Sequence, residues 1–175
     1  MGNEEIRKKM PPDKYSSLSY QIARFYLYIY PDSDTTRISL AEPWLEKATE
    51  NENPDRETAQ LMYNIISFNN KVNIWLKDNN AKEFAESMQA FESSIAIAHD
   101  GTDNNLKYNV YQAALYVLRQ KNVVAYLHKQ NYTKSEILNI VKLDDISGLL
   151  QEEQKNLNEW KAMLETQINS EYGGD

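Results

Sequence analysis

The chain of 175 residues contains two histidines, His99 and His128, and no cysteine. His99 is followed directly by Asp100, and an adjacent His-Asp pair is the centre of one type of phosphohydrolase metal site. Such a site needs further histidine and aspartate ligands on neighbouring helices to hold the ion. Because His128 alone cannot complete that ligand set, the sequence predicts no metal. His99 is interpreted as a residue at a helix C-terminus, where a partial positive charge suits the helix dipole.

Other catalytic arrangements are also missing from the sequence. A helical di-metal site uses Glu-x-x-His pairs, but Ala96 and Ala125 stand three residues before the two histidines. The five glycines, at positions 2, 101, 148, 173 and 174, are too scattered to form a phosphate-binding loop. No serine lies in a Gly-x-Ser-x-Gly turn, and there is no thiolate nucleophile. The sequence therefore predicts a protein that is not an enzyme, without catalytic residues, cofactor or metal.

The segment YQIARFYLYIYPDSD, residues 20–34, is unusually rich in aromatic rings. Apolar residues recur across it at the spacing of one helical face, namely Leu18, Ile22, Phe25 and Ile29. Three tyrosines alternate with aliphatic residues near its end, which would also fit a short strand. The helix explains more of the residues, so we predict a helix with this face in the core. It should end at Tyr30, because the residue before a proline disfavours helical backbone.

The rings of this segment could serve three purposes. Base stacking requires interleaved basic residues, and only Arg24 lies within the run while two aspartates follow it. We expect Phe25 and some of the tyrosines to fill the core, with each hydroxyl at the surface. Tyrosine is also common at protein interfaces. Tyr26, Tyr28 and Tyr30 are therefore candidate partner-binding residues.

Helical periodicity continues through most of the chain. All five prolines lie within the first 54 residues, and Gly101 is the only glycine between Asp55 and Ser147. Two successive helices are predicted from apolar residues three and four apart: Leu61, Ile65, Phe68, Val72 and Trp75, then Phe84, Met88, Phe91 and Ile95. A third helix, residues 104–129, is apolar on two sides. Such a helix is normally buried between neighbours, so it is the predicted central helix.

Two capping boxes and a final helix complete the predicted elements. Thr133 with Glu136 should begin a short helix, and Ser39 with Glu42 should begin another. The last helix is predicted over residues 145–168 from a stripe in near-heptad register, made of Ile146, Leu150, Leu157, Trp160, Leu164 and Ile168. Such a stripe packs either inside a bundle or against another copy or partner.

These patterns predict an all-α fold, a single-domain antiparallel helical bundle of five to seven helices. The domain should cover residues 13–169, with residues 1–12 and 170–175 as flexible tails. Hydrophobic residues make up 41% of the chain, enough for a packed core. No apolar run approaches the roughly 20 residues of a membrane span. The N-terminal residues do not resemble a signal peptide, so a cytoplasmic protein without membrane contact is expected.

Charge is unevenly distributed along the chain, whose formal net charge is −7. Residues 100–143 contain six basic and three acidic residues, whereas residues 144–175 contain two basic and eight acidic ones. One alternative function is a DNA-binding regulator that uses residues 133–154 as a helix-turn-helix-like segment. The second helix of that segment would begin with acidic residues, which a phosphate backbone repels. Nucleic acid is therefore not the expected partner.

The sequence favours a non-catalytic protein–protein interaction module. The expected partner is another protein, or a second copy bound through the C-terminal helix. Leu157, Trp160 and Leu164 are the candidate partner-binding residues of that helix. Such a small acidic helical protein would suit an adaptor, an inhibitor or antitoxin-like regulator, or a component of a viral or mobile-element assembly.

Overall fold

A computed structural model describes residues 3–78 and 81–173, with side chains described for residues 4–74 and 85–173. Over these residues the secondary structure is helical throughout, which confirms the predicted all-α fold. The described residues form nine helices, more than the predicted five to seven. Trp75 and Phe84, two members of the predicted apolar stripes, lie outside the described side chains.

The chain groups into two compact units, Met1–Tyr63 and Asn64–Asp175, and each is described by itself. The boundary falls within a long helix rather than in a linker. The single domain predicted for residues 13–169 stays a prediction. Its test is whether different spectroscopic probes report one unfolding transition.

The first unit contains helices α1 (Asn3–Lys9), α2 (Pro12–Tyr28), α3 (Asp34–Thr49) and the start of α4 (Arg56–Asp78). Helices α2 and α3 pack against each other. The buried residues of α2 are Tyr15, Ser16, Ser19, Tyr20, Ala23 and Leu27, and those of α3 are Ile38, Ala41, Leu45 and Ala48. Small residues on both helices allow close approach. The buried serine hydroxyls are satisfied, because Ser16 donates to the Lys47 carbonyl and Ser19 to the Tyr15 carbonyl.

The structure corrects the predicted N-terminal tail and the predicted start of the second helix of this unit. Residues 3–9 form a helix rather than part of an unstructured tail, and Arg7 of that helix pairs with Glu50 at 3.0 Å. Helix α3 begins six residues before the predicted capping box, with Ser33 as its N-cap accepting a hydrogen bond from the Thr36 N–H. Pro43 consequently lies inside α3. Packing against α2 lets α3 continue through Pro43, although proline is normally tolerated only in the first turn of a helix.

The second unit contains the rest of α4 and five further described helices. These are α5 (Ala81–Asp100), α6 (Asn104–Leu118), α7 (Lys121–Lys129), α8 (Lys134–Ile140) and α9 (Gln151–Tyr172). Helix α6 packs on α5, α7 and α9 and buries both of its predicted apolar stripes. It is therefore the central helix of this unit, as predicted. The capping box of Thr133 and Glu136 at the start of α8 is also confirmed.

Three boundaries in the second unit differ from those predicted. The helix expected over residues 104–129 is interrupted after Leu118, and α7 restarts with Gln120 at its N-cap. The last helix begins at Gln151 instead of Asp145, because residues 141–150 form an irregular segment. It continues to Tyr172, within the predicted C-terminal tail. The Tyr172 ring stacks on His128 with a centroid distance of 4.0 Å, and its hydroxyl donates to the Tyr132 carbonyl.

Candidate functional site

The apolar face of α2 predicted to lie in the core is instead at the surface. Leu18 is 37% exposed, Phe25 44% and Ile29 69%, while Ile22 is half-buried. The core prediction for this face is wrong, because α2 uses its opposite side to pack on α3. We name the exposed stripe of Leu18, Ile22, Phe25 and Ile29 the α2 face. It places several large apolar side chains along one side of the chain at the surface, and contiguous exposed apolar patches are typical of interaction sites.

Three aromatic rings form a cluster at the C-terminal end of the α2 face. The ring centroids of Phe25, Tyr26 and Tyr30 lie 5.3–6.1 Å apart, and each pair of planes meets at 65–68°. Edge-to-face pairs of this kind add roughly 0.5–1.5 kcal/mol each beyond their burial. Tyr26 and Tyr30 are half-buried, so part of each ring faces solvent. The structure thus brings two of the predicted partner-binding residues together beside exposed Phe25.

The end of α2 fixes the position of this cluster. Helix α2 ends at Tyr28, and the N–H groups of Ile29 and Tyr30 both donate to the Phe25 carbonyl at 2.9 Å. This last turn keeps Tyr30 near Phe25 and Tyr26, and Pro31 prevents the helix from continuing. Tyr28, the third predicted binding residue of this segment, is half-buried and outside the three-ring cluster.

Two of the three predicted binding residues of the C-terminal helix are buried. Leu157 and Leu164 are buried, as is Ile168, and α9 packs on α6, α7 and α8. The expectation that Leu157 and Leu164 contact a partner is therefore corrected, since they belong to the core of the second unit. Trp160 is half-buried, and its ring lies 5.6 Å from the Tyr116 ring. The Arg119 guanidinium lies 4.5 Å above Trp160, which holds that ring within the unit.

A polar cluster in the second unit joins the end of α5 to the irregular segment 141–150. His99 Nδ1 lies 3.2 Å from the Asp100 carboxylate, and Nε2 lies 3.4 Å from that of Asp144. These carboxylates, above all Asp100 through its hydrogen bond, raise the pKa of His99. Beside them Lys107 pairs with Asp145 at 2.5 Å, and the Tyr111 hydroxyl donates to the same carboxylate. Burial and the neighbouring Asp145 raise the pKa of Tyr111.

The cluster brings together three groups that could ligate a metal. His99, Asp144 and Asp145 each present a ligand atom, and these atoms lie within 4.8 Å of one another. Asp145, however, already has the ammonium of Lys107 beside it, and the Lys107 side chain is only 8% exposed. A cation bound at Asp145 would meet that positive charge at close range. The arrangement fits a structural polar cluster better than a metal site, and the predicted absence of a metal stays a prediction.

A cavity of about 290 Å³ lies beside His99. Ile95, Ala96 and Ile140 form its apolar lining, and charged side chains of both signs, including Glu92 and Lys142, border it. Sequence reasoning missed the polar cluster around His99, because Asp144 and Asp145 were expected at the start of the last helix. Their actual position in an irregular segment lets them fold back towards α5 and α6.

The segment proposed to resemble a helix-turn-helix has a different geometry. Residues 141–150 separate α8 from α9, whereas that motif joins its helices through a turn of about 3–4 residues. The first turn of α9 contains Glu152 and Glu153, and the Glu153 carboxylate accepts a hydrogen bond from the Leu150 N–H at 3.0 Å. These acids stabilise the helix N-terminus and would repel phosphates.

Comparison of the chain with protein-family models, with curated proteins and with solved structures gives no match. Among the described residues, no helix is both long and apolar enough to cross a membrane.

Proposed function

We propose that this protein is a non-catalytic protein–protein interaction module that binds its partner through the α2 face. The observation that supports this most directly is the exposure of Leu18, Phe25 and Ile29 along one side of a helix whose other side is already packed. The half-buried rings of Tyr26 and Tyr30 extend the same surface. Such a module would suit an adaptor, an inhibitor or antitoxin-like regulator, or an assembly component, and a cytoplasmic location is part of the proposal.

Covering the exposed apolar surface would contribute favourably to binding. Full burial of one Leu, Ile or Phe side chain is worth about 1.5–3 kcal/mol. The three exposed side chains retain 37–69% of their exposure, so covering them would contribute on the order of 2–4 kcal/mol. The tyrosines add to this, because their large rings lose little conformational entropy on binding. Because association itself costs several kcal/mol, a partner must also make contacts beyond these three side chains.

The chemistry of the surface favours a protein over other ligands. A nucleic acid would need basic residues between the rings, but Arg24 is the only one and Asp32 is exposed directly after the helix. A small molecule is normally held in a concave pocket, whereas the α2 face is the outer side of a helix. An apolar helix or groove of another protein matches a convex apolar stripe. The DNA-binding alternative is not part of this proposal, since the α8–α9 connection does not have the required turn.

The test combines capture of the partner with a map of where it binds. A photo-crosslinking amino acid replaces Ile29 in one variant and Ile97, which is 49% exposed on α5, in a matched control. We expect crosslinks to protein from position 29 but not from position 97, and we expect them to survive nuclease treatment. Phe25→Asp should abolish them while far-UV circular dichroism stays unchanged. Crosslinks that persist in Phe25→Asp, or that depend on nucleic acid, would show that the α2 face is not a protein-binding surface.

A further inference from the structure

We propose that the cavity beside His99 is a binding site for a small aliphatic carboxylate. In this arrangement the anionic group of the ligand pairs with Lys142, and its hydrocarbon chain lies on the apolar lining of the cavity. The lining residues all belong to the second unit, so the site is independent of the α2 face. The inference adds a small ligand to the protein partner proposed above and does not depend on that partner.

The cavity is a groove between α5 and the part of the chain that passes alongside it, residues 132–144. At one end Tyr132 lies beside Glu92, and burial together with this carboxylate raises the pKa of Tyr132. At the other end the Asp144 carboxylate lies 3.4 Å from His99. Glu92 and His99 are two helical turns apart on α5, which corresponds to about 10 Å along the helix axis. The groove is therefore long enough for a short hydrocarbon chain.

The middle of the groove is apolar. Ile95 and Ala96 line it from α5, and Ile140 lines it from the end of α8. Ala96 is exposed, and its single methyl group leaves the space that a larger side chain would occupy. The cavity volume of about 290 Å³ is at the lower end of the range for small-molecule sites, roughly 300–1,000 Å³. The volume and the lining suit a small ligand with a hydrocarbon part.

The acidic groups near the His99 end of the groove already have partners within the protein. Asp100 and Asp144 lie 3.2 and 3.4 Å from the two nitrogens of His99, and they raise its pKa, so its positive charge persists beside them to higher pH. Asp145 is paired with Lys107. Glu92, the other acidic residue that borders the groove, lies at the opposite end. The repulsion that these carboxylates exert on an anion at the His99 end is therefore reduced.

Lys142 is different, because no carboxylate among the described side chains is within ion-pair distance of its ammonium. It lies between Ile140 and Asp144 in the chain, towards the His99 end of the groove. Lys161 of α9 donates to the Val141 carbonyl at 2.9 Å, which fixes the backbone directly before Lys142 and adds a second ammonium nearby. An anionic ligand group would supply the counter-charge that Lys142 lacks, whereas a cationic ligand would be repelled there.

The binding test is an NMR titration of the full chain, labelled with ¹⁵N, at constant pH and ionic strength. Butanoate, hexanoate and octanoate are the probes. We expect saturable chemical-shift changes at α5 and residues 140–144, and an affinity that rises about 2–4-fold per added methylene group until the chain exceeds the groove. Hexanol and hexylamine have the same chain without the negative charge and should bind more weakly than hexanoate. The absence of saturable changes at these residues, or equal binding of hexanol, would overturn the inference.

Two substitutions test the two parts of the site separately. Lys142→Gln removes the counter-charge and should weaken hexanoate binding about 3–5-fold. The matched control Lys121→Gln removes an exposed lysine of α7 outside the groove and should leave the affinity unchanged. Ala96→Phe should fill the groove and abolish binding, with far-UV circular dichroism confirming that the helix content is retained. Hexanoate binding that tolerates either Lys142→Gln or a folded Ala96→Phe variant contradicts the assignment, and such a result would leave the proposed role of the α2 face standing.

Discussion

Removing the carboxylate of Asp145 should destabilise the second unit more than any exposed charge substitution. Its partner Lys107 has a side chain only 8% exposed, and Asp145→Ala would leave this ammonium buried without its counter-charge. The Tyr111 hydroxyl would lose its acceptor in the same step. Loss of one partner from a buried pair costs about 3–5 kcal/mol. Because the Asp145 side chain is 23% exposed, we expect a loss at the lower end of this range, about 3 kcal/mol in the free energy of unfolding. This loss corresponds to a fall in Tm of about 6–12 °C.

Urea denaturation followed by far-UV circular dichroism measures this loss. The matched control is Glu159→Ala, which removes an exposed ion pair of Lys155 and Glu159 in the same unit and should cost less than about 1 kcal/mol. The double variant Lys107→Met/Asp145→Ala removes both charges and should recover most of the stability. The reasoning is refuted if Asp145→Ala costs no more than Glu159→Ala, or if the double variant is less stable than Asp145→Ala.

Three further predictions concern the second unit. Since its carboxylate neighbours raise the pKa of His99, these contacts stabilise the fold fully below pH ~6.5 and are lost as pH rises through the raised folded value. Stability should fall over that range in pH-dependent urea titrations, and His99→Gln should flatten the slope. An unchanged slope in His99→Gln contradicts the assignment. Thr133→Ala removes the α8 N-cap and should lower the free energy of unfolding by about 1 kcal/mol in urea titrations. No change would mean that the capping box contributes nothing to stability. Leu157→Ala should lower the free energy of unfolding by about 2–5 kcal/mol through the cavity it leaves. A loss near zero would show that Leu157 is not part of the core.

The elements that sequence reasoning predicted well are those where local chemistry and packing agree. Thr133 and Glu136 form their capping box because both hydrogen bonds lie within one helical turn. Helix α6 is central because residues apolar on two sides require burial against more than one neighbour. The interruption after Leu118 and the irregular segment 141–150 were missed because neither contains a proline, and Gly148 is their only glycine. Contacts such as that between Asp145 and Lys107, which lie far apart in the chain, decide these positions.

The α2 face shows why periodicity alone could not separate core from interface. Helix α2 has two faces that both suit burial, and the one made of Leu18, Ile22, Phe25 and Ile29 is exposed. The packed face includes Ser16, Ser19 and Ala23, whose small size allows close approach to α3. The Ser16 hydroxyl donates to the Lys47 carbonyl of α3, and the Ser19 hydroxyl donates to the Tyr15 carbonyl of α2 itself. A hydrophobicity pattern ranks the purely apolar face first, although close packing and hydrogen bonding favour the mixed face that contains the serines. A helix with a second apolar face still uncovered after folding is what a binding surface requires. The misplaced core prediction is thus the main physical argument for where this protein binds.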